Sequence, residues 1–336
     1  MGFIQPKRLH NSKGEVRKVG IEIEFGNVPI EKTANIIIEL YGGQLKRENR
    51  FMQKVENTSL GDFSIEMDAR LLTEKAYLKP LQKLNIDISK IQMGDSSLES
   101  GLEDMLEGVV SLVVPYEIGT PPVPITELHQ LERLRESLFR HEAKGTRAFP
   151  TNIFGTHLNP EIPDEEAGTI LNYLRAFLLV YPWMLRSAEI DLARRLSPYI
   201  DPFPDAYAEL ILQPDYKPDI DKLIDDYHKH NPDRNRPLDM YPLFAYLKKD
   251  KVAQYDDMGI VKERPTFHYR LPNSQIEEAD WSLEKVWNNW VVIENLAEDK
   301  EKLEELASQY LSMRKDTFIG FNGRWAKQTD KWLSLE

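Results

Sequence analysis

The stretch Val19-Gly20-Ile21-Glu22-Ile23-Glu24-Phe25 constrains this chain most, because apolar and acidic side chains alternate along it. Successive side chains of a β-strand point to opposite faces, so Ile21, Ile23 and Phe25 share one face and Glu22 and Glu24 the other. Two carboxylates then stand roughly 6–7 Å apart and repel each other. A shared divalent cation relieves that repulsion. The wet outer face of a half-buried antiparallel strand is the other reading of the same pattern. Asp62-Phe63-Ser64-Ile65-Glu66-Met67-Asp68 repeats the arrangement, with Phe63, Ile65 and Met67 on one face and three acids among the side chains of the other. Any of Asp62, Glu66 and Asp68 could serve as a ligand there, and a solvated edge strand accounts for all three equally well.

The chain has 336 residues, enough for one large domain or two smaller ones. Its net charge of −12 argues against nucleic acid and anionic membranes as partners outside a local pocket. No run reaches the ~18 apolar residues of a membrane helix, and the N-terminal residues lack the apolar core of a signal peptide, so a cytoplasmic location is expected. The absence of cysteine removes disulfides, thiolate zinc sites and cysteine nucleophiles together. Any metal must be held by oxygen and imidazole.

Periodicity organises the remainder. Residues 1–16 read as a flexible arm. Ile30 to Tyr41 reads as a helix stopped by Gly42-Gly43, and Phe51–Asn57 and Asp62–Asp68 read as strands. The apolar run Val109 to Val114 leads to a strand at Pro115–Gly119 and a rigid turn at Thr120-Pro121-Pro122. Residues 125–141 form an amphipathic helix with Thr126 as its cap, and Thr151 to Glu161 a strand whose polar face carries Gly155, His157 and Asn159. Pro163 to Arg195 reads as two helices broken near Pro182, and Pro198 to Pro218 as irregular. Asp219–His230 and Leu238–Lys248 read as helices, Thr266–Leu271 as a strand, and 282–336 as a helical extension. Strands interleaved with helices without regular βαβ spacing indicate an α+β fold with a mostly antiparallel sheet. One domain over 17–336 is expected, with an insertion or lid at 69–107.

There is no phosphate-binding P-loop, no H-E-x-x-H zinc helix, no nucleophile elbow and no dinucleotide turn. What remains is carboxylates on or beside strands (Glu22, Glu24, Glu66, Glu117), the strand histidine His157, and Arg234, Arg236 and Arg270. Oxygen-rich sets suit Mg²⁺, and an added imidazole also accepts Mn²⁺. His157 fits a satisfied core histidine as well as a ligand. Arg234 and Arg236 fit a surface network with Asp233 and Asp239 as well as an anion site. An arginine facing a sheet interior, as Arg270 would, needs an anionic partner.

Val19 to Phe25 resembles the E-x-E opening strand of the amidoligase family, in the superfamily of glutamine synthetase and the glutamate–cysteine ligases. Glu117-Ile118-Gly119-Thr120-Pro121-Pro122 resembles the family's E-[LI]-x-[ST]-P-P element, and Phe154-Gly155-Thr156-His157-Leu158-Asn159 its G-x-H-[VIL]-[NH] strand. With Arg270 these elements follow the family's order over residues 19–271. The resemblance implies a curved, mostly antiparallel sheet of glutamine synthetase-like type with helices on one face. It implies ATP-dependent amide formation between a carboxylic acid and an amine or ammonia, the latter free or supplied by a glutaminase-type partner. On that reading Glu22, Glu24, Glu66, Glu117 and His157 hold Mg²⁺, and Arg270 stabilises the transferring phosphoryl group. Arg234, Arg236 and Asn159 are candidates for contacting an acidic substrate or phosphate.

One departure stands out. Where the superfamily often carries a late E-x-R, this chain has His268-Tyr269-Arg270. A neutral imidazole at 268 still ligates but removes one negative charge from the site. The same residues are compatible with a non-catalytic binding protein and with a phosphotransferase acting on a nitrogen acceptor.

Overall fold

A computed structural model describes residues 2–49, 51–67, 115–148, 154–187, 190, 200–256, 258, 261–317 and 319–333. The expectations for Asp68, for Val109 to Val114, for the lid or insertion at 69–107 and for residues 151–153 lie outside the described residues. The strands are β1 (Lys18–Phe25), β2 (Gln44–Asn49), β3 (Met52–Thr58), β4 (Gly61–Met67), β5 (Tyr116–Gly119), β6 (Val123–Pro124), β7 (Thr156–Pro160), β8 (Leu238–Asp239) and β9 (His268–Tyr269). Among the described residues the helices are α1 (Ile30–Tyr41), α2 (His129–Arg140), α3 (Ala167–Ser187), α4 (Asp205–Ile211), α5 (Ile220–His230), α6 (Tyr241–Leu247), α7 (Lys249–Val252), α8 (Leu283–Ala297), α9 (Lys300–Asp316) and α10 (Phe321–Leu333). The strands form one antiparallel sheet in the order β2-β3-β4-β5-β1-β7-β9-β8, with β6 beside the start of β1. The sheet is neither closed nor strongly curled.

The alternation in β1 is realised in full. Val19, Ile21, Ile23 and Phe25 are buried, while Gly20, Glu22 and Glu24 are half-buried on the other face. Register carries this division across the sheet: Ile21 lies opposite Leu158 of β7, and Leu158 opposite Tyr269 of β9. Helices cover the apolar face. Tyr41 of α1 stacks on Phe63 of β4 with ring centres 5.4 Å apart, and Trp290 of α8 packs on Tyr269 at 5.3 Å. Tyr173 of α3 stacks on Phe267, just before β9, at 4.7 Å. The edge strand β2 is mostly exposed and polar, with Lys46 paired to Glu56 on β3 at 2.8 Å; such charged edges resist pairing with other chains.

Several sequence-based boundaries move. α3 runs continuously through Pro182, whose missing N–H leaves Leu178 O without its helical donor, and Trp325 of α10 donates to the neighbouring carbonyl, Leu179 O, at 2.7 Å. Thr126 does not cap α2. Residues 125–127 make a single 3₁₀ turn and the helix begins at His129 without a side-chain cap. Leu238-Asp239 is a short strand rather than the start of a helix, since it pairs with β9, and β9 itself narrows to two residues. The region 198–218, read as irregular, contains α4.

Within the segment read as a flexible arm, Ile4 N and Lys7 N donate to Asn288 and Asn295 of α8, and Trp287 donates back to Ile4 O at 2.8 Å. The fully buried Arg17 ties this segment to the sheet. Its guanidinium donates to Arg8 O, Glu161 O and the carboxylate of Glu294 on α8, which also accepts from Trp290 Nε1 at 2.6 Å. Burial disfavours the charge on Arg17, but Glu294 outweighs it and holds the guanidinium protonated. Removing one partner leaves an uncompensated buried charge. Glu294→Ala is therefore expected to lower unfolding free energy by about 3–5 kcal/mol in urea titration, while Arg17→Met with Glu294→Leu recovers much of the loss.

Candidate functional site

The polar face of the sheet is built in rows by its register. One row runs Glu66 of β4, Glu117 of β5, Glu24 of β1. The next runs Ser64, Gly119, Glu22, His157 of β7. The third starts with Gly20 opposite Asn159. His268 and Asp239 are opposite each other on β9 and β8, and His268 and Arg270 flank Tyr269 and so share a face. The face is kept low at Gly119, where a Cβ would lie 2.5 Å from Ser64 Oγ.

Glu22 is the hub. Its Oε2 lies 3.0 Å from His157 Nδ1, and its Oε1 accepts from Asn159 Nδ2 at 3.1 Å and from Arg264 Nη1 at 3.0 Å. Asn159 Oδ1 in turn faces Arg264 Nη1 at 3.3 Å and His268 Nδ1 at 2.8 Å. Glu24 accepts the Gly155 N–H at 2.6 Å and turns its other oxygen to His157 Nε2, 3.8 Å away. This pattern assigns the tautomers: Nδ1–H of His157 donates to Glu22 and Nδ1–H of His268 to Asn159, leaving both Nε2 lone pairs available. Burial opposes ionisation of Glu22, but His268, the hydrogen bond from His157 and the charge of Arg264 together hold its carboxyl well below the usual range. Burial, with the charges of His157, Arg270 and Arg264, pushes His268 well below the ordinary imidazole value, and Glu22 opposes that push.

Two overlapping sets of donors suit a metal. Glu24, Glu117 and His157 each offer an atom within 4.8 Å of the others, as do Glu22, His157 and His268. Neighbouring ligands of an octahedral Mg²⁺ are about 3.0 Å apart and opposite ones about 4.2 Å, so each set would draw inward to close on an ion. Oxygen with one or two neutral imidazoles is a donor set for Mg²⁺ or Mn²⁺. In the first set the Glu22–His157 hydrogen bond is the outer contact that orients a ligating imidazole.

The structure thus brings Glu22, Glu24, Glu117, His157, Asn159 and His268 together, with Glu66 next in the row beyond Glu117. Asp62 is exposed and accepts the Asn57 N–H of the β3–β4 turn. Arg234 and Arg236 have partners of their own: Arg234 binds Asp239 at 2.9 Å, and Arg236 is buried against Asn231, with Asp201 and Asp233 at 3.6 and 3.7 Å. Arg270 donates to Arg234 O at 2.8 Å. The residue that sequence reading missed is Arg264. It lies in a loop before β9, and the only local signal is a charge beside Pro265 next to a strand.

Residues 15–292 match the family model described as "Putative amidoligase enzyme". No curated protein and no solved structure matches the chain. The matched stretch begins before β1 and ends within α8, taking in every residue of the polar face named above, and the chain belongs to this amidoligase family.

Proposed function

We propose that the protein is an ATP- and Mg²⁺-dependent carboxylate–amine ligase that works through an acyl phosphate. The observation that carries this reading is the meeting of Glu24, Glu117 and His157, with Glu66 beyond, on one sheet face of an amidoligase-family chain. Membership of the family implies carbon–nitrogen ligation and ATP use. Glu24, Glu117 and the Nε2 of His157 would hold one ion, and Glu22 and His268 are the donors nearest to a second. Divalent ions there would neutralise phosphate charge and hold nucleotide and acid in line.

The reaction balances without any oxidant or reductant. A carboxylate oxygen attacks the γ-phosphorus of ATP and ADP leaves. The amine nitrogen then attacks the acyl carbon, the C–O bond breaks, phosphate leaves and the nitrogen loses a proton. In this scheme Glu22 and Asn159 orient His157, His268 and Arg264 by the hydrogen bonds described above. Arg234 and Arg236 hold the loop before β8, and through its Arg234 carbonyl support Arg270, rather than meeting the substrate themselves. Among the described residues no helix is long and apolar enough to cross a membrane.

An ADP-release assay with Mg²⁺, scanning carboxylic acids against amines, tests the reaction. Release is expected only when both an acid and an amine are present. Release with a nitrogen acceptor alone would make the protein a phosphotransferase, and no release across broad panels would make it a binding protein.

The metal assignment has its own test. Mn²⁺ at about 100 times its dissociation constant is expected to stabilise the wild type by about 2.7 kcal/mol in thermal unfolding. Glu24→Gln is expected to weaken Mn²⁺ binding by roughly tenfold or more and to shrink that stabilisation accordingly. Arg236→Lys should leave Mn²⁺ affinity unchanged; equal behaviour of the two variants would remove the metal from this face.

A further inference from the structure

We infer that Arg264 is the residue that binds a phosphate oxyanion of the nucleotide, a role no other observation assigns to it. The inference rests on the reading of this face as a nucleotide and metal site. Among the described residues both polar contacts of the guanidinium use Nη1, to Glu22 Oε1 at 3.0 Å and to Asn159 Oδ1 at 3.3 Å. Nε and Nη2 make no hydrogen bond to any described residue. Those two nitrogens form one edge of the planar guanidinium, and their parallel N–H groups match two oxygens of a phosphate.

The side chain and the backbone of this residue are held in different ways. The side chain is 41% exposed even though its Glu22 partner is largely buried. The backbone is fixed on both sides: Arg264 N donates to Pro242 O at 3.0 Å, Thr266 pairs with Glu161, and Phe267 N donates to Pro160 O at 3.0 Å. A rooted backbone with an aimed but open guanidinium edge is a pre-oriented anion contact, which lowers the ordering cost of binding. Glu22 and Asn159 set its direction and act as positioning residues.

Position and charge point the same way. The row Glu66, Glu117, Glu24 repels phosphate, so a nucleotide there needs cations from the metal site and from the protein. Arg264 stands at Glu22, next to both donor sets. Arg270, the arginine favoured by sequence position, already donates Nη1 to the Arg234 carbonyl.

The test titrates Mn²⁺ alone into the full chain, and then the β,γ-imido analogue of ATP into protein with and without Mn²⁺. Arg264→Met is expected to bind Mn²⁺ within about threefold of wild type and the analogue about tenfold or more weakly. Arg264→Lys keeps a point charge without the planar edge, is expected to recover only part of the affinity, and carries the test where Arg264→Met does not fold. Unchanged affinity for the analogue in both variants overturns the inference, including the case in which only the KM for the carboxylic acid rises. A large change in Mn²⁺ affinity in Arg264→Met also overturns it, since Arg264 would then act on the metal through Glu22. A wild type that takes up no Mn²⁺ removes the metal reading instead, and the metal-free nucleotide titration then decides Arg264 by itself.

Discussion

The pleat of β1 cannot bury Ile21, Ile23 and Phe25 without bringing Glu22 and Glu24 together on the opposite face, and this coupling of core to site governs everything built around it. A slip of one residue would send both carboxylates into the core, so hydrophobic burial fixes the register of β1 against β5 and β7. Register in turn fixes which side chains face each other: Glu24 meets Glu117, and Glu22 meets His157. The start of the strand is anchored by the buried Arg17, whose contacts reach Glu161 after β7 and Glu294 on α8. A site placed on regular strands with an anchored first member is held more rigidly than one built on loops.

That register creates an electrostatic conflict. Like charges opposite each other on neighbouring strands are destabilising, and the Glu66, Glu117, Glu24 row sets three acids in sequence. Partial exposure lessens the penalty, since these acids are half-buried rather than sealed. Across the seam the chemistry changes. β7, β9 and the loop before β9 supply imidazole, amide and guanidinium groups, and Glu22 is the carboxylate of β1 that meets these donors. The face is therefore acidic on one side and donor-rich on the other.

Sequence shows those parts of this design that depend on local periodicity. β1, α1 and β4 are legible because each combines a clean period with a core-facing stripe, and the absence of cysteine limits any metal ligands to oxygen and imidazole. β2 carries no such stripe: as an exposed polar edge strand it is defined by its pairing with β3 alone. β8 and β9 are too short for a period to register, although they place Asp239 and His268. Pro182 misleads because α3 lies in a core where Trp325 meets a neighbouring carbonyl, a contact between residues far apart in the chain. Arg264 escapes for the same reason, since its partners Glu22 and Asn159 are distant in sequence and meet it only through the fold.

The replacement of an expected late acid by His268 acquires a physical meaning in this setting. A carboxylate at that position would stand beside Asn159 Oδ1, which now accepts the Nδ1–H of His268, and two acceptors cannot satisfy each other. The imidazole instead completes a chain in which His268 donates to Asn159 and Asn159 donates to Glu22. Burial and the charges of Arg264 and Arg270 disfavour a second proton on the imidazole, while Glu22 favours one. The loss of one negative charge is therefore tied to a gain in hydrogen-bond order, which fixes Glu22 and, through it, the orientation of both His157 and Arg264. Substitution of the acid need not mean loss of the site, because the same exchange strengthens the framework that aims its other members.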